Sequence, residues 1–155
     1  MVLRMIEEPS GEQKKKNYQE SIAWANKAVG MDLGDSQSWY VLGNAHLTNF
    51  FVNNENMIEL TVALKAYTQT ERLQQEPNPD LFYNRATILE YLERYNEAVR
   101  DYSKAHQIDP NLQADKKAEK IVEFVVHTSN LVANNKGKVK SQKLTQMVKT
   151  IPSTL

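Results

Sequence analysis

The chain of 155 residues contains no cysteine. That absence removes disulfides, thiolate zinc sites and cysteine nucleophiles together, and a chain of this length has no need of covalent staples. It also lacks net charge, since 19 basic residues balance 19 acidic ones; no global attraction to nucleic acid or a membrane surface follows, and any such pull has to be local. No stretch approaches 18 uninterrupted apolar residues, and residues 1–9 show no apolar secretion-type core, so neither membrane spanning nor export is expected. These readings together give an expectation of cytoplasm and nucleus. Glycine is scarce as well: Gly11, Gly30, Gly34, Gly43 and Gly137 are dispersed, which excludes a glycine-rich phosphate cradle. His46, His106 and His127 are equally scattered, with no metal-ligand spacing among them.

What is present is periodicity. With 41% apolar and 25% charged residues the composition is globular, and the length suits one elongated domain. From Pro79 to Leu112 the residues Phe82, Ala86, Leu89, Tyr95, Ala98, Tyr102, Ala105, Ile108 and Pro110 recur at helical spacing. They describe two helices joined by a turn. The alanines let the helices approach closely, the aromatics fill the remaining gaps, Pro79 suits a first helical turn and Asp109-Pro110 closes the unit.

A second copy opens with Ser38-Trp39-Tyr40-Val41-Leu42-Gly43-Asn44-Ala45-His46, after a helix cap at Asp35 or Ser36. Trp39, Leu42 and Gly43 stand at the positions of the W-x2-L-G signature of the tetratricopeptide repeat (TPR), a helix-turn-helix unit of about 34 residues. Its second helix continues through Ala63, Tyr67, Thr70 and Leu73, yet Trp39 lies about eight residues too far from Ala63 for the standard spacing. Phe50 to Met57 therefore read as an insertion, with the first helix running long and then turning.

Upstream, Tyr18, Ser21, Ala25, Ala28, Met31 and Asp32 fit the second helix of a preceding repeat, whose partner helix is reduced to Val2 to Glu8 with an apolar face at Leu3 and Ile6. Downstream, Ala118, Ile121, Val122, Val125, Thr128, Leu131 and Val132 supply one face of a terminal helix closing the stack. The expected architecture is all-α, a TPR-type α-solenoid with a C-terminal capping helix. Its expected divisions are a TPR array over 1–134 (partial repeat 1–34, repeat 35–77 with its insertion, repeat 79–112, capping helix 113–134) and a basic segment over 135–155.

Several strings carry a narrower resemblance: Ala28-Val29-Gly30-Met31-Asp32, Ser38 to Asn44, Asn78-Pro79-Asp80-Leu81 with Asn84-Arg85-Ala86-Thr87, and Lys136-Gly137-Lys138-Val139-Lys140 followed by Lys143-Leu144. The chain resembles the middle and C-terminal repeats of the Strap family, also called the tetratricopeptide repeat protein five family, without the preceding repeats and the C-terminal OB-fold. The basic string lies outside the repeats and is the more specific part of the match. The resemblance implies an adaptor of cytoplasm and nucleus. It also implies partners: a CBP-class histone acetyltransferase complex in stress responses, and nascent tubulin at the ribosome in tubulin autoregulation.

In a TPR array the first helix of each pair lines a concave surface that grips a partner's segment. The residues placed there by repeat position are Gln37, Tyr40, Asn44 and Leu47, then Asp80, Tyr83, Asn84, Thr87, Glu90 and Tyr91. Tyrosine offers rigid area with a polar tip, and amides can bond a partner's backbone. Lysine and arginine, which co-chaperones use on this surface to hold acidic chaperone tails, are missing from these positions, so the co-chaperone reading is the weaker one and a neutral or basic ligand is expected. Arg85 is expected to face the partner helix.

No acidic residue follows Glu123, so Lys136, Lys138, Lys140, Lys143 and Lys149 form a positive tail. It suits RNA or ribosome contact through phosphates, or a solvated linker, and Lys143 to Ile151 can form a short amphipathic helix. No cofactor, metal or catalytic constellation is expected, and His46, where such repeats carry a packing aromatic, reads as a core group. The chain reads as a protein-binding scaffold, not an enzyme, with its oligomeric state open.

Overall fold

A computed structural model describes residues 11–54, 56–134 and 140–150. Among the described residues there is no strand. The helices are α1 (Gly11–Met31), α2 (Ser36–Asn49), α3 (Met57–Leu73), α4 (Pro79–Tyr91), α5 (Tyr95–Ile108), α6 (Ala114–Ala133) and α7 (Ser141–Thr150). From α1 to α6 each helix packs on the next in chain order, and α2 also touches α4. This is the all-α array of helix-turn-helix units read from the sequence: α2 with α3 and α4 with α5 are the two pairs.

Local chemistry sets the helix starts. The Asp35 carboxylate accepts hydrogen bonds from the backbone N–H groups of Gln37 and Ser38, satisfying donors that the helix itself leaves open. The Ser38 hydroxyl also donates to Asp35 at 2.5 Å, and this bond, with the two backbone donors, holds the Asp35 carboxyl below its usual pKa against the opposing effect of desolvation. Asn56 caps α3 and Asn78 caps α4, where Pro79 occupies the first turn.

The insertion does what its composition suggested. Beyond α2 the chain continues as a π-helical turn, Phe50–Asn54, which absorbs extra residues while keeping the helix direction. Phe50 is completely buried there. Its ring stacks edge-on against Phe51 (5.1 Å) and Tyr91 (5.0 Å), tying the end of α2 to the end of α4.

The core is continuous from α2 to α6 and centres on Tyr67, Tyr102, Phe82, Leu60, Leu81 and Ile88. Close helix approach rests on small residues, most sharply at Gly43. A Cβ there would stand 2.5 Å from Cε1 of the buried Tyr67 ring, so only glycine fits beneath it. A smaller cluster of Ala25, Val29, Leu42 and Ala66, with Trp39 against it, fixes α1 to the first pair.

Two expected faces need correction. On α1, Met31 is 80% exposed and Ser21 is exposed, while Val29 takes the buried position; the contact stripe runs through Ala25, Ala28 and Val29. On α6, Ala118 and Ile121 are buried and Val125 is partly buried, but Val122, Thr128, Leu131 and Val132 are exposed. For Thr128, Leu131 and Val132 the reason is length; Val122 lies to one side of the stripe of Ala114, Ala118 and Ile121. Helix α5 has 14 residues and α6 has 20, so at about 1.5 Å per residue α6 outruns its partner by roughly 9 Å. Leu3 and Ile6 lie outside the described residues, as do the side chains of Leu144, Met147, Val148 and Ile151.

Candidate peptide-binding groove

Helices α2 and α4 lie side by side on one surface because each is the first helix of its pair. At their centre two asparagines meet: the Asn84 Nδ2 donates to Asn44 Oδ1 at 3.1 Å, and the Tyr67 hydroxyl from α3 donates to the same oxygen at 2.7 Å. One carboxamide thus joins three helices. Burial raises the Tyr67 pKa well above its ordinary value of 10.0, the neighbouring Tyr40 hydroxyl adds to the rise, and the Asn84 amide opposes it. Tyr67 is therefore a permanent donor at neutral pH.

A second set links α4 to α5. The Tyr102 hydroxyl donates to Glu90 Oε2 at 2.7 Å and lies 3.2 Å from the Thr87 hydroxyl, which donates to the Tyr83 carbonyl at 3.1 Å. Burial raises the Tyr102 pKa, the Glu90 carboxylate adds to the rise, and Thr87 opposes it. The Tyr83 ring stacks edge-on against Tyr102 with centroids 5.3 Å apart.

The structure thus sorts the ten groove candidates. Gln37, Asp80 and Tyr91 are exposed, with Tyr91 resting on Phe50 and Phe51. Tyr40, Leu47 and Tyr83 are half-buried against the core. Asn44, Asn84, Thr87 and Glu90 are half-buried and share the hydrogen bonds just described, so they build the surface as well as presenting it.

Arg85 turns away from this face, as its repeat position suggested. It forms a two-pronged ion pair with Asp101 (2.5 and 3.0 Å) and reaches Glu71 at 2.5 Å; Lys104 completes the cluster on Glu71 at 2.9 Å. Burial disfavours charge on Glu71, but hydrogen bonds from Arg85 and Lys104 outweigh it and lower the carboxyl pKa. For Arg85 burial is likewise the largest influence, and the two carboxylates overcome it and raise its pKa. This cluster was missed by the sequence reading. The signal was there: Asp101 falls inside the buried stripe of Ala98, Tyr102 and Ala105, where a charge requires a partner.

His46 is buried, with its Nδ1 2.6 Å from Glu59 Oε2, so it is a structural pair between α2 and α3. Among the described residues no group of three or more His, Asp or Glu side chains could hold a metal, and no helix is long and apolar enough to cross a membrane. Lys140 and Lys143 of the basic segment are exposed, Lys143 at the start of α7. Lys136 and Lys138 lie outside the described residues.

Comparison with known proteins agrees with this geometry. Residues 79–112, the α4–α5 unit, match the family model "Tetratricopeptide repeat". Over 151 residues, 96% of this chain, the sequence is 37% identical to "Tetratricopeptide repeat protein 5" of Mus musculus. It is 36% identical, over the same length, to the proteins of that name from Bos taurus and Homo sapiens. Each match takes in 34% of the relative, so the chain spans about a third of the length of these relatives. Over that stretch the chain is similar to these relatives, as the strings in its sequence indicated, and its fold is an all-α TPR-type array.

Proposed function

We propose that the chain is an adaptor that holds an extended segment of a partner protein across α2 and α4. The carrying observation is the Asn44–Asn84 pair. Asn44 Oδ1 is occupied by two donors, which leaves Asn44 Nδ2 and Asn84 Oδ1 with no hydrogen-bond partner among the described residues. A donor and an acceptor fixed side by side suit the alternating N–H and C=O groups of an extended backbone. Tyr40 and Tyr83 flank the pair with rigid, amphipathic area. At the rim, exposed Asp80 favours a neutral or basic side chain on the partner, while Glu90 is engaged by Tyr102.

The Strap-like partners implied by the resemblance, the nascent tubulin N-terminus and a CBP-class acetyltransferase complex, are the finer part of this reading, with action in cytoplasm and nucleus. The test is a titration of labelled N-terminal tubulin peptides and coactivator fragments against the chain. Saturable binding is expected, weakened about tenfold by Tyr40→Ala with Asn84→Ala, equivalent to roughly 1.4 kcal/mol. Binding unchanged by the pair, with the helical signal intact, would refute the groove.

A further inference from the structure

We propose that α7 is a strap that folds back along α6 and seats on the exposed face of Val122 and Val126, so that α6 and α7 close the array as a third helix pair.

The seat follows from the register of the pair before it. On α4 the residues Tyr83, Thr87 and Glu90 meet Tyr102 of α5, and so mark the face that α4 turns to its own second helix. Ala114, Ala118 and Ile121 of α6 repeat the spacing of Phe82, Ala86 and Leu89 on α4. That register sets Asp115, Glu119 and Val122 at the places of Tyr83, Thr87 and Glu90. Continued by helical steps of four and three, the same face runs through Val126, Ser129 and Ala133. It is open: Val122 is 48% and Val126 53% exposed, and Ser129 and Ala133 are exposed as well. Beside it a cavity of about 160 Å³ enters between α5 and α6, lined chiefly by Tyr95 and Val99 of α5 and by Ile121, Val122, Val125 and Val126 of α6.

Reach, length, pattern and charge name α7 as the occupant. Residues 134–140 join the two helices; at up to about 3.3 Å each they span roughly 20 Å, more than the about 10 Å between packed helix axes. With Ser141 set opposite Ala133, the 10 residues of α7 run back to Phe124 and cover the part of α6 that outruns α5. Val148 then stands opposite Val126, and Leu144 beside Ser129 and Ala133, whose small side chains permit close approach. In the sequence Leu144, Met147 and Val148 recur at intervals of three and four, the spacing of one helical stripe. No acidic residue follows Glu123, so α7 brings Lys143 and Lys149, while exposed Glu119 and Glu123 border the seat and Lys149 lands within a turn of Glu123. The short connection also holds this α7 beside its own seat at an effective concentration that a second copy does not match. Seated, the strap covers the apolar end that a repeat array has to close.

The absence of cysteine makes a thiol test direct. In the full chain carrying Val126→Cys as its one thiol, maleimide alkylation is expected to be at least fivefold slower than in the same chain with Leu144→Ser and Val148→Ser added. Ala23→Cys, on the exposed side of α1, reacts at one rate in both backgrounds. If Val126→Cys itself loosens the seat, Ser129→Cys gives the readout, with the same fivefold criterion. Equal rates with and without the α7 substitutions, at both positions, overturn the strap. Protection that is lost on dilution of the chain places α7 on a second copy and overturns the intrachain seat. The groove on α2 and α4 is judged separately, since Tyr40→Ala with Asn84→Ala leaves these rates unchanged.

Discussion

The same substitution, glycine to alanine, is expected to act with opposite signs at two helical sites. At Gly43 an added Cβ would meet Cε1, Cδ1 and Cζ of Tyr67 at 2.5, 2.7 and 3.1 Å. Carbon atoms rest at about 3.5–4.0 Å, so ring or helix must yield by roughly 1 Å. The ring has nowhere to go: it is fully buried, its hydroxyl is fixed to Asn44 at 2.7 Å, and Tyr40 leans on it with centroids 6.2 Å apart. Overpacking of this kind costs about 3 kcal/mol at the upper end of its usual range. Alanine's better helix propensity returns about 1 kcal/mol. The net loss is about 2 kcal/mol, or a Tm lower by roughly 8 °C. At Gly30, on α1, nothing lies within 4 Å of the added Cβ and the site is exposed, so only the propensity gain, about 0.5–1 kcal/mol near a helix end, remains. Urea unfolding followed by circular dichroism reads both. A Gly43→Ala protein as stable as the parent would show that α2 and α3 are not locked at this contact. A Tyr67→Leu background supplies the internal check, since there the penalty of Gly43→Ala has to shrink.

Two further outcomes follow from the ion cluster. Arg85→Met leaves the Asp101 carboxylate, whose side chain is 3% exposed, buried without its counter-charge, and is expected to cost about 3–5 kcal/mol, most of it recovered by Arg85→Met with Asp101→Leu in the same urea assay. Glu71 and Glu97 have pKa values held below the ordinary 4.5, Glu71 by Arg85 and Lys104 against burial and Glu97 chiefly by the Arg94 hydrogen bond. Their contribution is present above that ordinary value and lost as pH falls through the lower folded values. Stability is therefore expected to decline below pH 4.5, and Glu71→Gln to flatten that decline; an unchanged acid profile in the variant would refute the assignment.

The helices were legible because their causes are local. The cap at Asp35, Pro79 at a first turn, and alanines recurring between aromatics are all short-range signals, and a repeat copies them. The insertion was legible for the same reason, as a departure from a known period, though its π-helical form was not: that depends on Phe50 finding Tyr91, forty-one positions along the chain. The exposed half of α6 escaped for the opposite cause. Its valines and leucines have the spacing of a buried face, but burial is set by the length of the helix opposite, and α5 ends first.

The groove was legible in position and illegible in state. Repeat register could place Asn44, Asn84, Thr87 and Glu90 on one face, but not reveal that each carries a hydrogen bond holding the array together. Such double duty constrains any reading of binding. A residue that both supports α3 or α5 and faces a ligand cannot be changed without altering both, so a loss of binding at Asn44 or Asn84 counts only where the helical signal stays intact, whereas Asp80, exposed and outside these networks, separates the two effects.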